Sequence, residues 1–321
     1  MQLKWKPLGL VFNPAEHHLP LGCEEFAQAP QAIVLEDRIR VLYSTRQRDT
    51  PSTFKSHVGS VDFSLDWSRI LEVNQAEILP LGALGTFDEH GVFPINVLQH
   101  QGLIYGFTTG WSRRISVSNE AAIGLVTSED EGRTFKRLGP GPILSASLRE
   151  PFQVADGCVL VRSSTFHMFY IAGRKWIKSS VSGKPERVYK ILHAKSADLR
   201  HWERDGVAII SDVIDENECQ ALPTVFEHQG IFHMIFCHRS FEGFRNDGGR
   251  AYDLGYASSS DLINWTRSDE AGGLDFARSD WDSTMRCYPN VVQVGSDLFM
   301  LYNGNSFGRN GFGIAQLIHG P

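Results

Sequence analysis

The stretch FPINVLQHQGLIYGFTTGW, Phe93–Trp111, decides the fold. It holds a proline, an apolar run, a tight polar turn at Gln101-Gly102 and a second run rich in aromatic and β-branched residues. Two such runs joined by a glycine turn read as a β-hairpin. The same grammar recurs as APQAIVLEDRIRVLYSTR from Ala29, LPTVFEHQGIFHMIFCHR from Leu222 and YPNVVQVGSDLFMLYNGN from Tyr288. A degenerate copy, ADGCVLVRSSTFHMFYIAGRKW, starts at Ala155, with Gly157 in the proline place. The markers Pro30, Pro94, Gly157, Pro223 and Pro289 stand 64, 63, 66 and 66 residues apart.

A second unit follows each hairpin: a short run with small residues, a Ser/Asp turn, then an aromatic. The copies are GSVDFSLDWSRI from Gly59, IGLVTSEDEGRTFKRL from Ile123, KILHAKSADLRHWERD from Lys190 and LGYASSSDLINWTRS from Leu254. The fifth, GFGIAQL from Gly311, stops before its aromatic, and LKWKPLGL with Trp5 supplies the missing piece. Each period therefore holds four short strands, and four strands repeated radially make a propeller blade. The expectation is an all-β, five-bladed β-propeller over residues 1–321, a single domain with four antiparallel strands per blade. The N-terminal strand closes the fifth blade, which removes the edges an open repeat would expose. Trp5, Trp67, Phe135, Trp202 and Trp265 recur once per blade and are expected in the core between blades.

Composition narrows the function. The 321 residues are 42% hydrophobic, ample for a large core, so disorder is excluded. The net charge of -6 argues against a general nucleic-acid binder. No window of about 18 apolar residues exists, so no membrane span is expected. The start, MQLKWKPLGLVFNP, lacks an apolar signal core. Five cysteines, an odd number with no Cys-x-x-Cys pair, read as free thiols in a reducing cytoplasm. No cofactor motif is present: there is neither a Gly-rich phosphate loop nor a Gly-x-Ser-x-Gly elbow. A metal site is not expected either.

Strand alternation puts the long connections on one face. Second-to-third-strand loops are expected near 46–58, 110–121, 173–188, 238–251 and 303–310, and blade-to-blade loops near 11–28, 80–92, 143–153, 212–220 and 270–287. Long loops on a rigid scaffold carry function. Two kinds of residue gather there. Carboxylates precede the inner strands: Asp88, Glu89, Glu150, Glu218 and Asp282, with Glu24, Glu25 and Glu216 nearby. Converging carboxylates suit glycosyl transfer, in which one protonates the leaving oxygen and another activates water or attacks carbon. The second kind is basic: Arg46, Arg113, Arg174, Arg239, Arg245, Arg286 and Arg309 among others. Arginine forks suit carboxylate or phosphate, which points to an anionic ligand. Trp111, Trp176 and Phe307 could stack on sugar rings, and His90, His238 and Asn303 lie at the same strand ends.

The pattern FDEHGVFPINV, YGFTTGW, AAIGLVTSEDEGRTF, YDLGYASSSDLINW and YPNVV…LFMLYNGNSFGRNGFGIA resembles the five-bladed β-propeller glycosidase superfamily. That group includes glycoside hydrolase families 43, 62, 32, 68 and 130. The likeness covers almost the whole chain and is nearest to glycosidase-like proteins of bacterial surface-polysaccharide gene clusters. Arg149-Glu150-Pro151 looks like the Arg-Asp-Pro motif of family 32, and Glu218-Cys219 like its Glu-Cys motif. The first blade departs: Ala29-Pro30-Gln31 has no acid where those families carry an aspartate. The resemblance implies a cytoplasmic carbohydrate-active enzyme cleaving or transferring a glycosidic bond. Asp88, Glu150 and Glu218 would be catalytic. Glu89, His90, Trp111, Arg174, His238, Arg239, Asp282, Arg286 and Asn303 would bind a small sugar or sugar phosphate. A propeller that binds such a ligand without cleaving it, and a phosphate-dependent phosphorylase, are the alternatives. Oligomeric state is left open.

Overall fold

The computed structural model describes residues 2–318. Strand β1 (Trp5–Phe12) opens the chain. Four antiparallel groups follow in order. They are β2 (Glu25–Val34), β3 (Ile39–Thr50), β4 (Thr53–Phe63) and β5 (Ile70–Val73), then β6 (Gly91–His100), β7 (Leu103–Arg113), β8 (Asn119–Ser128) and β9 (Lys136–Arg137). Next come β10 (Val154–Arg162), β11 (Thr165–Lys178), β12 (Pro185–Ser196) and β13 (Glu203–Ala208), then β14 (Cys219–His228), β15 (Ile231–Arg239), β16 (Asp253–Ser259) and β17 (Thr266–Arg267). The last group is β18 (Cys287–Val294), β19 (Asp297–Asn303) and β20 (Phe312–Leu317), and β1 pairs with β20 as its fourth strand. The first two groups touch through one parallel pair, Ser56 with Gly91, and so form one eight-stranded sheet.

The arrangement is propeller-like. The leading strands pack in sequence, β2 on β6, β6 on β10, β10 on β14 and β14 on β18, and β18 packs back on β2. Each junction carries a polar stitch. Asn96 Nδ2 donates to Gln31 Oε1 (3.2 Å), the Asp156 amide to Thr109 Oγ1 (2.8 Å) and the Leu222 amide to Asp156 Oδ2 (3.1 Å). The Val291 amide reaches Thr224 Oγ1 (3.0 Å), and the Ala32 amide reaches Asn290 Oδ1 (3.0 Å). Every leading strand also breaks register in its first half, as between Ala155 and Cys158 or Ala221 and Thr224. Ala29, Asp156, Leu222 and Tyr288 take positive φ at these bulges, just before the repeat markers. A bulge re-aims a side chain, and Asp156 and Tyr288 at these bulges line the cavity described below.

The once-per-period aromatics pack between sheets. Trp5, Trp67 and Phe135 are buried, and Trp202 and Trp265 are partly buried against core clusters. The Trp5 indole donates to Gly272 O at 3.1 Å, fixing β1 in place. All five cysteines are free. No helix among the described residues is long and apolar enough to cross a membrane.

One expectation about the loops is corrected. The segments near 46–58, 110–121 and 173–188 are largely extensions of the β3–β4, β7–β8 and β11–β12 hairpins. Pairing satisfies their own backbone groups above the sheets, so they stand as ribbons rather than loops.

Candidate functional site

A cavity of about 940 Å³ opens on the face where the second strands end and the third begin. All five strand groups line it. Arg46 and Phe54 come from the first, Trp111 and Asn119 from the second, and Asp156, Trp176, Arg187 and Tyr189 from the third. Arg239, Phe244 and Tyr252 come from the fourth, and Tyr288 and Phe307 from the fifth. This is the face expected to carry the site. The first three groups line it mainly from their ribbons and bulges, and the fourth and fifth add the loops around Phe244–Ala251 and Ser306–Arg309, while Gln153, Thr284 and Met285 come from the blade-to-blade loops.

The sequence-predicted residues divide sharply. Trp111 and Arg239 line the cavity. The carboxylates do not, because each is drawn outward into an ion pair. Asp88 pairs with Arg137 on β9, Glu150 with Arg204 on β13, and Glu218 with Arg267 on β17 at 2.6 Å. Asp282 takes Arg286 Nε at 2.8 Å. All four carboxylates are fully buried. Glu150 also accepts the Tyr170 hydroxyl, and Glu218 accepts the amides of Val213 (2.9 Å) and Ile214 (3.0 Å). Those amide bonds and Arg267 hold the Glu218 carboxyl below its usual range against the opposing effect of burial. The pairs tie the start of a sheet to its outer strand, or in the fifth sheet to the next turn.

The remaining candidates also serve these supports. Glu89 accepts the Gly85 amide (2.8 Å), and His90 stacks behind Trp111 at 5.9 Å. Arg174 caps Gly206 O at 2.9 Å. His238 sits between Glu218 (3.7 Å) and Asp269 (3.9 Å). Arg286 donates to the carbonyls of Leu274, Phe276 and Ala277. Asn303 donates to Ala27 O and Gly311 O and accepts the Ala29 amide, closing the ring between the fifth and first sheets.

The acid that lines the cavity without an ion pair or a neighbouring turn to hold it is Asp156, which has no place among the sequence-predicted residues. It sits at the degenerate third marker, one residue before Gly157, in the place that Ala29 takes before Pro30 in the first repeat. Asp156 is 4% exposed and forms no ion pair among the described residues. Burial pushes its pKa up to about 7, opposed by the Leu222 amide and by the charge of Arg187. The other lining acids are engaged. Glu186 is held by Arg245 at 2.5 Å, and Asp247 accepts the Gly249 amide at 2.9 Å.

Three lining arginines have no carboxylate within ion-pair distance among the described residues. Arg187 donates to Asn119 Oδ1 and, at 3.0 Å, to Gln153 Oε1. Arg239 donates to Ser240 O (2.7 Å), Phe241 O (3.2 Å) and Tyr189 Oη (2.9 Å), and its guanidinium stacks 3.5 Å from the Phe244 ring centre. Its buried Nε has no partner. Arg46 is the third. A buried cation without a counter-ion is costly, so the chemistry of this cavity asks for an anion.

No family model matches the chain. Two Mycobacterium tuberculosis proteins, described as uncharacterized proteins MT1551 and Rv1502, are each 29% identical over 322 residues, covering 98% of this chain and 99% of their own. A solved structure described as a glycoside hydrolase superposes with a TM-score of 0.72 at 17% identity, covering 98% of this chain and 92% of its own. A β-1,2-mannobiose phosphorylase from Listeria innocua in complex with β-1,2-mannobiose gives 0.71 at 13% identity, covering 99% and 97%. A thermostable family-43 glycoside hydrolase gives 0.64 at 15% identity, covering 94% and 91%. The fold is therefore one shared with glycoside hydrolases and glycoside phosphorylases.

Proposed function

We propose that this chain is a single-domain, five-bladed propeller enzyme that cleaves glycosidic bonds by phosphorolysis. Asp156 is the proton donor, and the anion held near Arg187 and Arg239 is the nucleophile. One observation carries the reading: the cavity has one unpaired buried carboxyl and several arginines without acid partners. A hydrolase of the common kind needs two carboxyl groups, one to protonate the leaving oxygen and one to activate water or attack carbon. Phosphate is already a nucleophile and needs no base. In the proposed step the protonated Asp156 gives its proton to the glycosidic oxygen as the bond to the anomeric carbon breaks. A phosphate oxygen forms the new bond to that carbon. The products are a sugar 1-phosphate and the shortened acceptor, and Asp156 regains its proton from solvent.

Trp111 and Trp176 offer ring faces for sugar stacking, and Trp111 is steadied from behind by His90. The ion pairs of Asp88, Glu150, Glu218 and Asp282 hold the strands that shape the cavity. Five free cysteines suit a reducing compartment, so we place the enzyme in the cytoplasm, acting on a small sugar in bacterial surface-polysaccharide metabolism. The test is the reverse reaction. A panel of sugar 1-phosphates and sugar acceptors should release inorganic phosphate with the wild type and not with Asp156→Asn. A second reading, a propeller that binds an anionic sugar without turnover, draws on the same missing second carboxylate. It would be favoured by anion binding with no phosphate release across the panel.

A further inference from the structure

Arg46 is built unlike the other cavity arginines. Its guanidinium carbon lies 3.9 Å from the Phe26 ring centre and 4.1 Å from that of Phe54, so two aromatic rings pack on the planar fork. Stacking uses the faces of a guanidinium and leaves its N–H edge free to donate. Its Nε is buried without a partner, and no carboxylate among the described residues lies within ion-pair distance of the fork. Burial draws its pKa down to about 10, with the nearby Arg309 charge adding to the effect. Arg309 lies 5.5 Å from the same Phe26 ring centre and is matched by Glu25 at 3.0 Å. Two guanidinium groups thus share the Phe26 ring, and the one carboxylate in ion-pair reach among the described residues, Glu25, is taken by Arg309. Phe26 itself is held at φ 73, a conformation unusual for a bulky side chain, and it is buried.

Arg46 lies in the outer half of strand β3 in the first group, and Arg187 and Arg239 belong to the third and fourth. Around the ring, one group separates the first from the third and one separates the fourth from the first. The cavity therefore has two cationic walls facing each other.

We propose that Arg46 is a second anion site, which grips a carboxylate or phosphate carried by the sugar itself, so that the substrate is a charged sugar. This rests on the phosphorolysis reading for the identity of the other anion. The stacked fork presents coplanar donors, which match a carboxylate or a phosphate and would be left unpaired by a neutral hydroxymethyl group.

Calorimetric titration at low salt tests it. The ligands are glucose, mannose and galactose, each as the neutral sugar, the uronate and the 6-phosphate, with inorganic phosphate alone beside them. At least one charged sugar should bind the wild type about tenfold more tightly than its neutral parent. Whether the uronate or the 6-phosphate does so identifies the natural group. Arg46→Met keeps the stacked chain and should erase that preference while still binding inorganic phosphate. Arg46→Lys keeps the charge without the fork and should retain more of the preference than Arg46→Met, with a wild-type melting curve as the folding control. Equal binding of charged and neutral sugars by the wild type, or a preference untouched in Arg46→Met, overturns the proposal. Failure of inorganic phosphate to bind sinks the phosphorolysis reading alone and leaves the charged-sugar result standing.

Discussion

The backbone amide of Leu222 donates to Asp156 Oδ2 across 3.1 Å, so the carboxyl that faces the cavity also joins the third sheet to the fourth. The neighbouring junctions use Thr109 and Thr224 for the same task, groups with no charge to bury. An aspartate at this place costs desolvation that a threonine would not, and the structure recovers only part of it through one amide and the distant Arg187 charge. Only one oxygen of Asp156 is occupied by the junction. The other has no hydrogen-bond partner among the described residues and is free to meet a ligand.

Asp156→Asn separates these two roles. Asparagine keeps an oxygen for the Leu222 amide, so the fold should survive, while turnover should fall by roughly 100-fold or more. The stability effect has a definite sign. The folded pKa is raised to about 7 from an ordinary 3.8, so the fold binds the proton more tightly than the unfolded chain does. This group's stabilising contribution is therefore fully present below pH 3.8 and is lost as pH rises toward 7. At pH 8 Asp156→Asn should melt higher than the wild type, and the gap should close toward pH 4. A gap independent of pH would sink the assignment of the raised carboxyl. If the protonated form is the acid, the rate of the wild type should also fall as pH rises through about 7.

The arginine-paired carboxylates should behave as struts. Glu150→Gln leaves the half-buried Arg204 without its fully buried partner, and breaking a buried pair costs up to about 3–5 kcal/mol. In a chain of this size that corresponds to a fall in Tm of the order of 10 °C. Activity per folded molecule at low temperature should stay within a few-fold of wild type. A wild-type melting curve with activity abolished would instead restore Glu150 to the catalytic role its motif suggests.

Arg187 offers a cleaner probe of the anion site than Arg239, whose guanidinium is packed under Phe244. Arg187→Met should weaken inorganic phosphate binding about tenfold or more, the value of a charge-assisted contact. Raising the salt should weaken wild-type binding and leave the variant less affected. Phosphate affinity that ignores both the substitution and the salt would remove Arg187 from the site.

The repeat was readable because its physics is local. Period-two runs, glycine turns such as Gln101-Gly102 and one aromatic per period each leave a mark within a few residues. The closing role of Trp5 followed from simple counting of incomplete periods. The site was harder to read. Whether Glu218 faces the channel or Arg267 depends on two residues 49 positions apart whose side chains meet only after folding. The pairs of Asp88, Glu150 and Glu218 sit at equivalent places in successive sheets, so in the sequence their acids recur as regularly as a converging ring would. Asp156 was hidden for the opposite reason. Its repeat is the degenerate one, and Gly157 in the proline place drew the eye from the acid beside it. Its neighbours in the five-fold alignment, Ala29, Leu222 and Tyr288, are apolar or aromatic, so only alignment of the bulges marks it as the odd position.

A last pH dependence lies away from the cavity. His167 and His193 pair side by side on β11 and β12, with Nδ1 to Nε2 at 3.0 Å and ring centres 5.1 Å apart. Such a bond requires one ring to be a donor and the other an acceptor, so both cannot be protonated while it persists. Burial pulls the His193 pKa down to about 4, with the His167 and Lys195 charges adding to the effect and Asp205 opposing it. The folded pKa is thus depressed, so the contribution is complete above pH 6.5 and is lost as pH falls toward 4. The full swing is of the order of 3 kcal/mol. His193→Gln keeps a hydrogen-bonding side chain that does not titrate. It should melt slightly lower than the wild type at pH 7.5, where it loses only packing on Phe169. At pH 5 the gap should narrow or invert, because the unfolded wild type then gains a proton that its folded ring resists, and the variant has no such group. Parallel Tm curves for the two proteins between pH 7.5 and 5 would show that the pair does not titrate with folding.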